Sequence, residues 1–407
     1  MKILYLVHQF YPDHYTGTEK FLLNLASVAQ RWGHSVKVLT YRFGGDNANN
    51  VGDGLVDFQN YLYKGIEVLS FTYKSYPADF GFGVEDANLW SISEKVLSDE
   101  NPDLIHVAHP MRVGEFIKSA RRLNVPYVIT LTDFWLMCPK AILLTSGKEL
   151  CYGPQRGEMC QHACPEFSNA SIVSRLANAE EILRGAKAVI VPSRFLGSLF
   201  KHEFPFLEPR VIPYGIDFTN IKRNARTYTG EEELTFIFAG QIDYHKGVHI
   251  LLDAFKRLSG KAKLKLYGSG PEGAMRNFKE MAKGHSNIEF CGVYAENKLG
   301  EIFGSVDVAV IPSNWHENNT IVMREALASN VPCIVSSGEG MIEKIQDGMN
   351  GFIFRMGDAD HLKEIVDRIT ARPGILEEMK RNIHTYALTT VEQEAYAYVE
   401  EYQKLIS

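Results

Sequence analysis

Apolar runs of strand length alternate with amphipathic stretches along the whole chain. "KILYLV", "SVKVLTY", "DLIHVA", "PYVITLT" and "AVIVPS" are apolar or β-branched runs, and "GTEKFLLNLASVAQRWG" and "GEFIKSARRLN" carry apolar positions at helical spacing between them. Runs that are apolar throughout, separated by helices, fit a parallel sheet covered on both faces. The cycle restarts at "LTFIFAG" and continues through "AKLKLYG", "NIEFCG", "VDVAVIPS" and "VPCIVSS". The pattern predicts an α/β protein of two doubly wound, Rossmann-like domains facing across a cleft. They join around residues 206 to 230, where "PFLEPRVIPYGIDF" and the charged, turn-prone "KRNARTYTGEEE" fall. The expected limits are 1–210 for the first domain, with a cysteine-rich insert at 134–168, and 211–388 for the second. A C-terminal helix at 389–407 is free to return to the first domain. Ligands of doubly wound sheets bind outside the carboxyl ends of the strands, so the informative residues are those just after strands.

Composition narrows the class. At 407 residues the chain is long for one core, and 45% hydrophobic with 23% charged residues is ordinary for a soluble globular protein. A net charge of -6 gives no footprint for nucleic acid. Lys118, Arg121 and Arg122 form a local basic cluster, read first as a solvated helix face and second as a peripheral membrane contact. No apolar run approaches the ~20 residues of a membrane span. "MKILYLV" is short, lacks a small-residue cleavage site and reads as a buried strand. The expected location is the cytoplasm, with membrane association left open, where disulfides do not persist.

The second half carries the candidate chemistry. "YGSGPEG" contains G-x-G-x-x-G at Gly268, Gly270 and Gly273, and Glu289 lies about twenty residues on, the form of a dinucleotide fingerprint. A dinucleotide-dependent oxidoreductase is therefore a rival reading. Against it, the loop follows the second strand of its domain, whereas the fingerprint follows the first, and Pro271 is a helix starter that needs no ligand. A glycine turn beside another nucleotide is preferred. The first strand ends in "AGQIDYHKGV", where Gly240 permits close backbone approach. Lys246 just before a helix is a candidate phosphate contact.

"SNWHENNTIVMREALASNVPC" is the most informative stretch. Asn319 or Thr320 is a suitable N-cap, which leaves first-turn amides for an anion. Glu317 precedes that turn and Glu325 lies inside the helix. Carboxylates flanking an anion site do not favour phosphate by charge, but they accept strong hydrogen bonds from hydroxyls. Ribose, diphosphate and hexose fit that order, which points to a nucleotide-sugar donor.

Together these segments resemble retaining glycosyltransferases of family 4, which have the GT-B architecture and a Glu-x7-Glu motif. The likeness runs from "GTEKFLLNLA" through "HVAHP", "VPSRF", "VIPYGID", "GQIDYHKGV", "YGSGPEG" and "ENNTIVMREAL" to "DGMNGFIF". It implies that Glu317 holds the donor sugar and Glu325 the ribose. Asn318, Asn319 and Thr320 would meet sugar or diphosphate, and Lys246 would stabilise the leaving nucleoside diphosphate. Gly17 would let the N-terminal loop approach that diphosphate, and His109 would sit beside the reacting sugar. Three positions depart from the family: Gln241 where an arginine is usual, Thr18 where a second glycine is usual, and Thr132 where a histidine often precedes the aspartate, leaving Asp133 as an acceptor-side group. The implied reaction moves a hexose to an acceptor hydroxyl of a glycan or lipid-linked glycan with retained configuration. Gln241 keeps open a catalytically weak sugar-nucleotide-binding protein of the same fold. Glu317→Ala is expected to abolish transfer while largely sparing stability.

Two metal signals point opposite ways. Asp358-Ala359-Asp360 spells D-x-D, yet it precedes the helical "HLKEIVDRI", where aspartates cap, so catalysis is expected without metal. Cys138, Cys151, Cys160 and Cys164 cluster in a loop-like segment without a secretory signal, which favours a structural site of four thiolates, zinc ahead of iron–sulfur, with His162 as a substitute ligand. Cys291 and Cys333 are expected to be buried in strands.

Overall fold

The computed structural model describes residues 1–43, 55–76, 81, 83–230, 232–318, 320–383 and 388–406. The chain forms two compact units, Met1–Gly215 together with Val391–Ser407, and Ile216–Thr390. The first holds an eight-stranded sheet built from β1 (Lys2–Val7), β2 (Ser35–Tyr41), β3 (Val56–Tyr63), β4 (Ile66–Tyr73), β5 (Leu104–Val107), β6 (Tyr127–Thr130), β7 (Ala188–Val191) and β8 (Arg210–Val211), in the order β3-β4-β2-β1-β5-β6-β7-β8. The second holds β9 (Leu234–Ala239), β10 (Ala262–Tyr267), β11 (Ile288–Gly292), β12 (Val308–Ile311), β13 (Cys333–Ser336) and β14 (Gly351–Phe354), in the order β11-β10-β9-β12-β13-β14.

All these pairings are parallel except β3 with β4. Alternation places side chains on both faces: Leu4 and Leu6 of β1 enter one core cluster, and Ile3, Tyr5 and Val7 the other. In β12, Val308 and Val310 likewise oppose Ala309 and Ile311. Burial on both faces is why the strands read as unbroken apolar runs.

The β3–β4 hairpin is absent from the expected pattern. Lys64 (φ 47°) and Gly65 (φ 81°) are both left-handed, as a two-residue hairpin turn matched to strand twist requires. Cys291 also departs from expectation: it is half-buried, because β11 is the edge strand, whereas Cys333 in β13 is fully buried. Among the described residues, no helix is long and apolar enough to cross a membrane.

The C-terminal helix, Val391–Ile406, belongs to the first unit, where its Tyr398 and Tyr402 are fully buried. His106 of β5 joins Tyr402 Oη at 2.6 Å through Nδ1 and Thr130 Oγ1 at 2.8 Å through Nε2. Burial pushes the His106 pKa down to about 3. Its folded-state pKa lies below the unfolded value, so the histidine is neutral when folded and takes up a proton on unfolding. Stability is therefore expected to fall as pH drops below about 6.5, by roughly 1.4 kcal/mol per pH unit from this group. Thermal melts from pH 7 to 5 should show that slope, flattened in His106→Gln.

Candidate active site

Each sheet has one point where the strand order reverses, and ligands of doubly wound folds bind there, beyond the carboxyl ends of the strands. In the second unit it lies between β9 and β12. The loops that follow these two strands carry Lys246 and Glu317.

Glu317 is buried, and three donors converge on its Oε1: Lys246 Nζ at 2.8 Å, Ser313 Oγ at 2.6 Å and Trp315 Nε1 at 2.9 Å. Among the described residues no hydrogen bond falls on Oε2, which is left to accept from a ligand hydroxyl. Burial by itself would raise this carboxyl, but the Lys246 charge and the three hydrogen bonds outweigh it and hold it below the usual carboxylate range. Lys246 Nζ also lies 4.5 Å from the centroid of the Trp315 ring. His245 meets that ring edge-on at 5.3 Å, and burial together with Lys246 lowers its pKa against the pull of Asp243 and Glu317. Asn314 N donates to His245 O at 2.8 Å, and Ser336 Oγ to Ser313 O at 2.6 Å, so three strand ends are tied together under the carboxylate.

Thr320 is the N-cap of the helix Ile321–Ala328, and it makes no side-chain bond to the first turn. Its Oγ1 is buried with no hydrogen-bond partner among the described residues. Asn318 and Glu325 are buried, while Asn319 lies outside the described residues. Gln241 is exposed after β9, and Gly240 (φ +150°) donates its N–H to Tyr267 O at 3.0 Å.

The glycine fingerprint has a local explanation. A Cβ on Gly268 would lie 1.8 Å from Gly240 O, and one on Gly270 2.0 Å from Ile242 O, so both glycines let two backbone loops touch. Gly273 has nothing within 4 Å of an added Cβ, whereas the third glycine of a dinucleotide site serves close helix–strand packing. Glu289 is exposed on the edge strand. The fingerprint is met in letters and not in packing.

In the first unit the order reverses between β1 and β5, and His8 and His109 follow those strands. Their rings stand 4.0 Å apart. His109 Nδ1 accepts from Met111 N at 3.2 Å, which leaves the ring proton on Nε2, donated to Asp133 Oδ2 at 3.1 Å. Asp133 is oriented in turn by Trp135 N, which donates to its Oδ1 at 2.8 Å. Burial first, then His109, Arg112 and His14, drive the His8 pKa well below the ordinary value, so His8 is neutral. His8 Nε2 lies 3.6 Å from Oε1 of the fully buried Glu19. Glu19 Oε2 accepts from Thr16 N at 2.7 Å, closing a capping box on the helix Gly17–Arg31. Gly17 is exposed at the first helical position.

Two of the family departures meet each other. Thr18 is helical, a conformation open to any residue, and its Oγ1 donates to Thr132 Oγ1 at 3.1 Å. Ser313, Trp315, His8 and Glu19 were not among the expected site residues. The "TGTE" capping box marks Glu19 in the sequence, and the strand-end rule marks His8. Nothing local marks Trp315.

Elsewhere, Asp358 accepts from His361 N at 2.9 Å as the N-cap of Ala359–Ala371 and pairs with Arg355, while Asp360 pairs with Arg257. The D-x-D is thus a helix cap. Lys118 pairs with Glu85 and Glu181, Arg121 with Glu181, and Arg122 with Glu94 and Glu115, so the basic cluster is a neutralised surface. All four cysteines of the insert are buried and line one cavity.

Two parallel, doubly wound units with loops gathered at each reversal define a GT-B protein. The chain belongs to Glycosyltransferase Family 4: that model matches residues 15–220, and the model of Glycosyl transferases group 1 matches residues 221–387. It is 26% identical over 356 residues to a GDP-mannose-dependent alpha-mannosyltransferase of Corynebacterium glutamicum, covering 84% of this chain and 76% of that protein. It is 25% identical over 203 residues to a lipopolysaccharide 1,2-N-acetylglucosaminetransferase of Salmonella typhimurium, covering 45% of this chain and 53% of that one. The chain thus spans about half the length of that relative, and 40% of an uncharacterized glycosyltransferase of Methanocaldococcus jannaschii that it matches at 31% identity over 37% of its own length. Among solved structures, Anabaena HepE in complex with UDP and glucose superposes with a TM-score of 0.72 at 18% identity over 99% of both chains. WaaG, a glycosyltransferase involved in lipopolysaccharide biosynthesis, superposes with a TM-score of 0.67 at 16% identity, covering 100% of this chain and 99% of that one.

Proposed function

We propose that the protein is a retaining glycosyltransferase that moves a hexose from a nucleoside-diphosphate sugar to a hydroxyl of a glycan or lipid-linked acceptor, with no metal at the reacting centre. The observation that carries this reading is the Lys246–Glu317 pair at the β9/β12 reversal, beside the uncapped first turn of Ile321–Ala328. A diphosphate at that turn meets amide dipoles and the Lys246 ammonium, both suited to the charge that grows as it leaves. Glu317 Oε2 accepts from hydroxyls of the donor sugar, and Glu325 is assigned the ribose. The bond from the anomeric carbon to the phosphate oxygen breaks. The acceptor oxygen bonds to the same face, and its proton passes to the departing diphosphate. In the first unit, His109 oriented by Asp133 is assigned the acceptor side. Asp358 and Asp360 are engaged in capping and ion pairs, so leaving-group stabilisation rests on Lys246 and the helix amides. HepE with UDP and glucose, and the GDP-mannose dependence of the Corynebacterium relative, support this donor class.

The test is a panel of nucleotide sugars, read by thermal shift and by the anomeric configuration of the product, with chelator present. A nucleoside diphosphate sugar should raise Tm and give retained product. An inverted product, or a shift with nicotinamide cofactors alone, would overturn the reading. The glutamine at position 241 makes one outcome specific. Gln241→Arg adds an exposed charge beside the proposed diphosphate, and one charge-assisted bond of about 1 kcal/mol should tighten UDP or GDP binding roughly 5-fold. Titration calorimetry at low and high salt checks this, since the gain should shrink with salt.

A further inference from the structure

The four cysteines of the insert stand outside the chemistry of transfer, and the chain folds so as to bring them together. Cys138 follows β6 in a turn in which Met137 N and Cys138 N donate to Phe134 O at 3.0 and 2.8 Å. Cys151 closes a small hairpin, with Leu144 bridged to Leu150 and Cys151 N donating to Leu143 O at 2.9 Å. Cys160 lies in the six-residue helix Glu158–Ala163, and Cys164 follows it, its N–H donating to Cys160 O at 2.9 Å. Ser146 N donates to Ala163 O at 2.9 Å and pins the hairpin to that helix. Three separate backbone pieces therefore deliver four sulfurs to one cavity wall.

We propose that Cys138, Cys151, Cys160 and Cys164 bind one soft divalent ion of the zinc class through four thiolates. Four cysteines in the wall of one cavity suit a single ion in tetrahedral thiolate coordination. Its wall offers no carboxylate, imidazole or hydroxyl: beyond the sulfurs it is apolar except for Lys140, so hard cations that take oxygen ligands are excluded. His162, the substitute ligand considered from sequence, is not in that wall. All four cysteines are free of disulfides.

One cationic side chain lines the cavity of such a centre. Four thiolates around a divalent ion carry two net negative charges. Lys140 stands in the cavity wall and donates to Glu166 Oε1 at 3.0 Å, and the buried Arg175 guanidinium lies 4.2 Å over the Trp135 ring. Among the described residues, no three His, Cys, Asp or Glu side chains already surround a point as metal ligands. An ion held by the four thiolates would sit about 2.3 Å from each sulfur. Each thiol gives up its proton on binding. The ion would fasten an insert too small for a core of its own, and the Cys138 turn it anchors begins at Phe134, next to Asp133.

The experiment is purification of the full chain without oxygen, with elemental analysis, sulfide assay and thiol titration in denaturant. The expected result is one zinc per chain, no sulfide, and all six cysteines titrating as free thiols after chelation. Exchange for Co²⁺ should give the intense visible and near-ultraviolet bands of a tetrahedral tetrathiolate. Cys160→Ser should lose the metal, while Cys291→Ser retains it. If Cys160→Ser does not fold, wild-type stoichiometry and the cobalt spectrum still decide. Metal-free native protein, disulfides among these cysteines, iron with sulfide, or full metal content in a folded Cys160→Ser would each overturn the proposal.

Discussion

Lys246→Met is expected to lower kcat by about 10²–10³-fold with a much smaller change in donor KM, because charge on the leaving diphosphate peaks after the ground state. The size follows from the position of the ammonium. It is 22% exposed, bonded to Glu317 and set over the Trp315 ring, so it is held in place before reaction and requires no reorganisation during it. Position 241, after the same strand, holds a glutamine and adds no second cation. The variant should also change its pH dependence. Lys246 is the first of the influences that lower the Glu317 carboxyl against burial. Without it burial gains, the folded-state pKa rises, and donor binding should weaken on acidification from a higher pH than in the wild type. Steady-state kinetics over pH 5 to 8 would show both effects. An unchanged kcat would remove Lys246 from the leaving-group role.

Glu317→Gln should lower kcat/KM for transfer by about 10²-fold, since a neutral amide replaces the charged acceptor of sugar hydroxyls. The structure changes the expectation for Glu317→Ala. Ser313, Trp315 and Lys246 all bond to this carboxylate. Removing it strands the buried Ser313 hydroxyl, the half-buried Trp315 N–H and an ammonium, which costs roughly 1–3 kcal/mol after allowing for the partial exposure of Trp315 and Lys246. The carboxyl is held below its ordinary 4.5, so its contribution to stability is present above that pH and is lost as pH falls through the lower folded-state value. Denaturant melts of Glu317→Gln should therefore lose less stability than wild type on acidification below about 4.5. Transfer at the wild-type rate in a folded Glu317→Gln protein would contradict the assigned role.

The sequence exposed what is local. Unbroken apolar runs showed the buried parallel strands, helical periodicity showed the helices, Lys246 and Glu317 stood out because they follow strands, and Glu325 because it lies eight positions on, inside the helix. What it concealed depends on strand order. Lys246 and Glu317 are 71 positions apart and meet only because β9 and β12 are neighbours at the reversal, which no periodicity states. Thr18 and Thr132 looked like two independent departures and are one contact across the β1, β5 and β6 ends. The β3–β4 hairpin escaped because "VDFQNYLY" is an edge strand with mostly exposed side chains, and its Lys-Gly turn is a weak signal beside Asn-Gly. Glycine spacing imitates a fingerprint that strand position already argues against: Gly268 and Gly270 are fixed by loop contact, and a dinucleotide would need Gly273 as well.

The most direct test is a crystal structure of the full chain soaked with a uridine or guanosine diphosphate hexose. The expected density places the diphosphate at Lys246 and the first turn of Ile321–Ala328, with sugar hydroxyls in hydrogen-bond reach of Glu317 Oε2. A diphosphate seated instead on the Gly268–Gly273 turn, with the Glu317 carboxylate untouched, would contradict it.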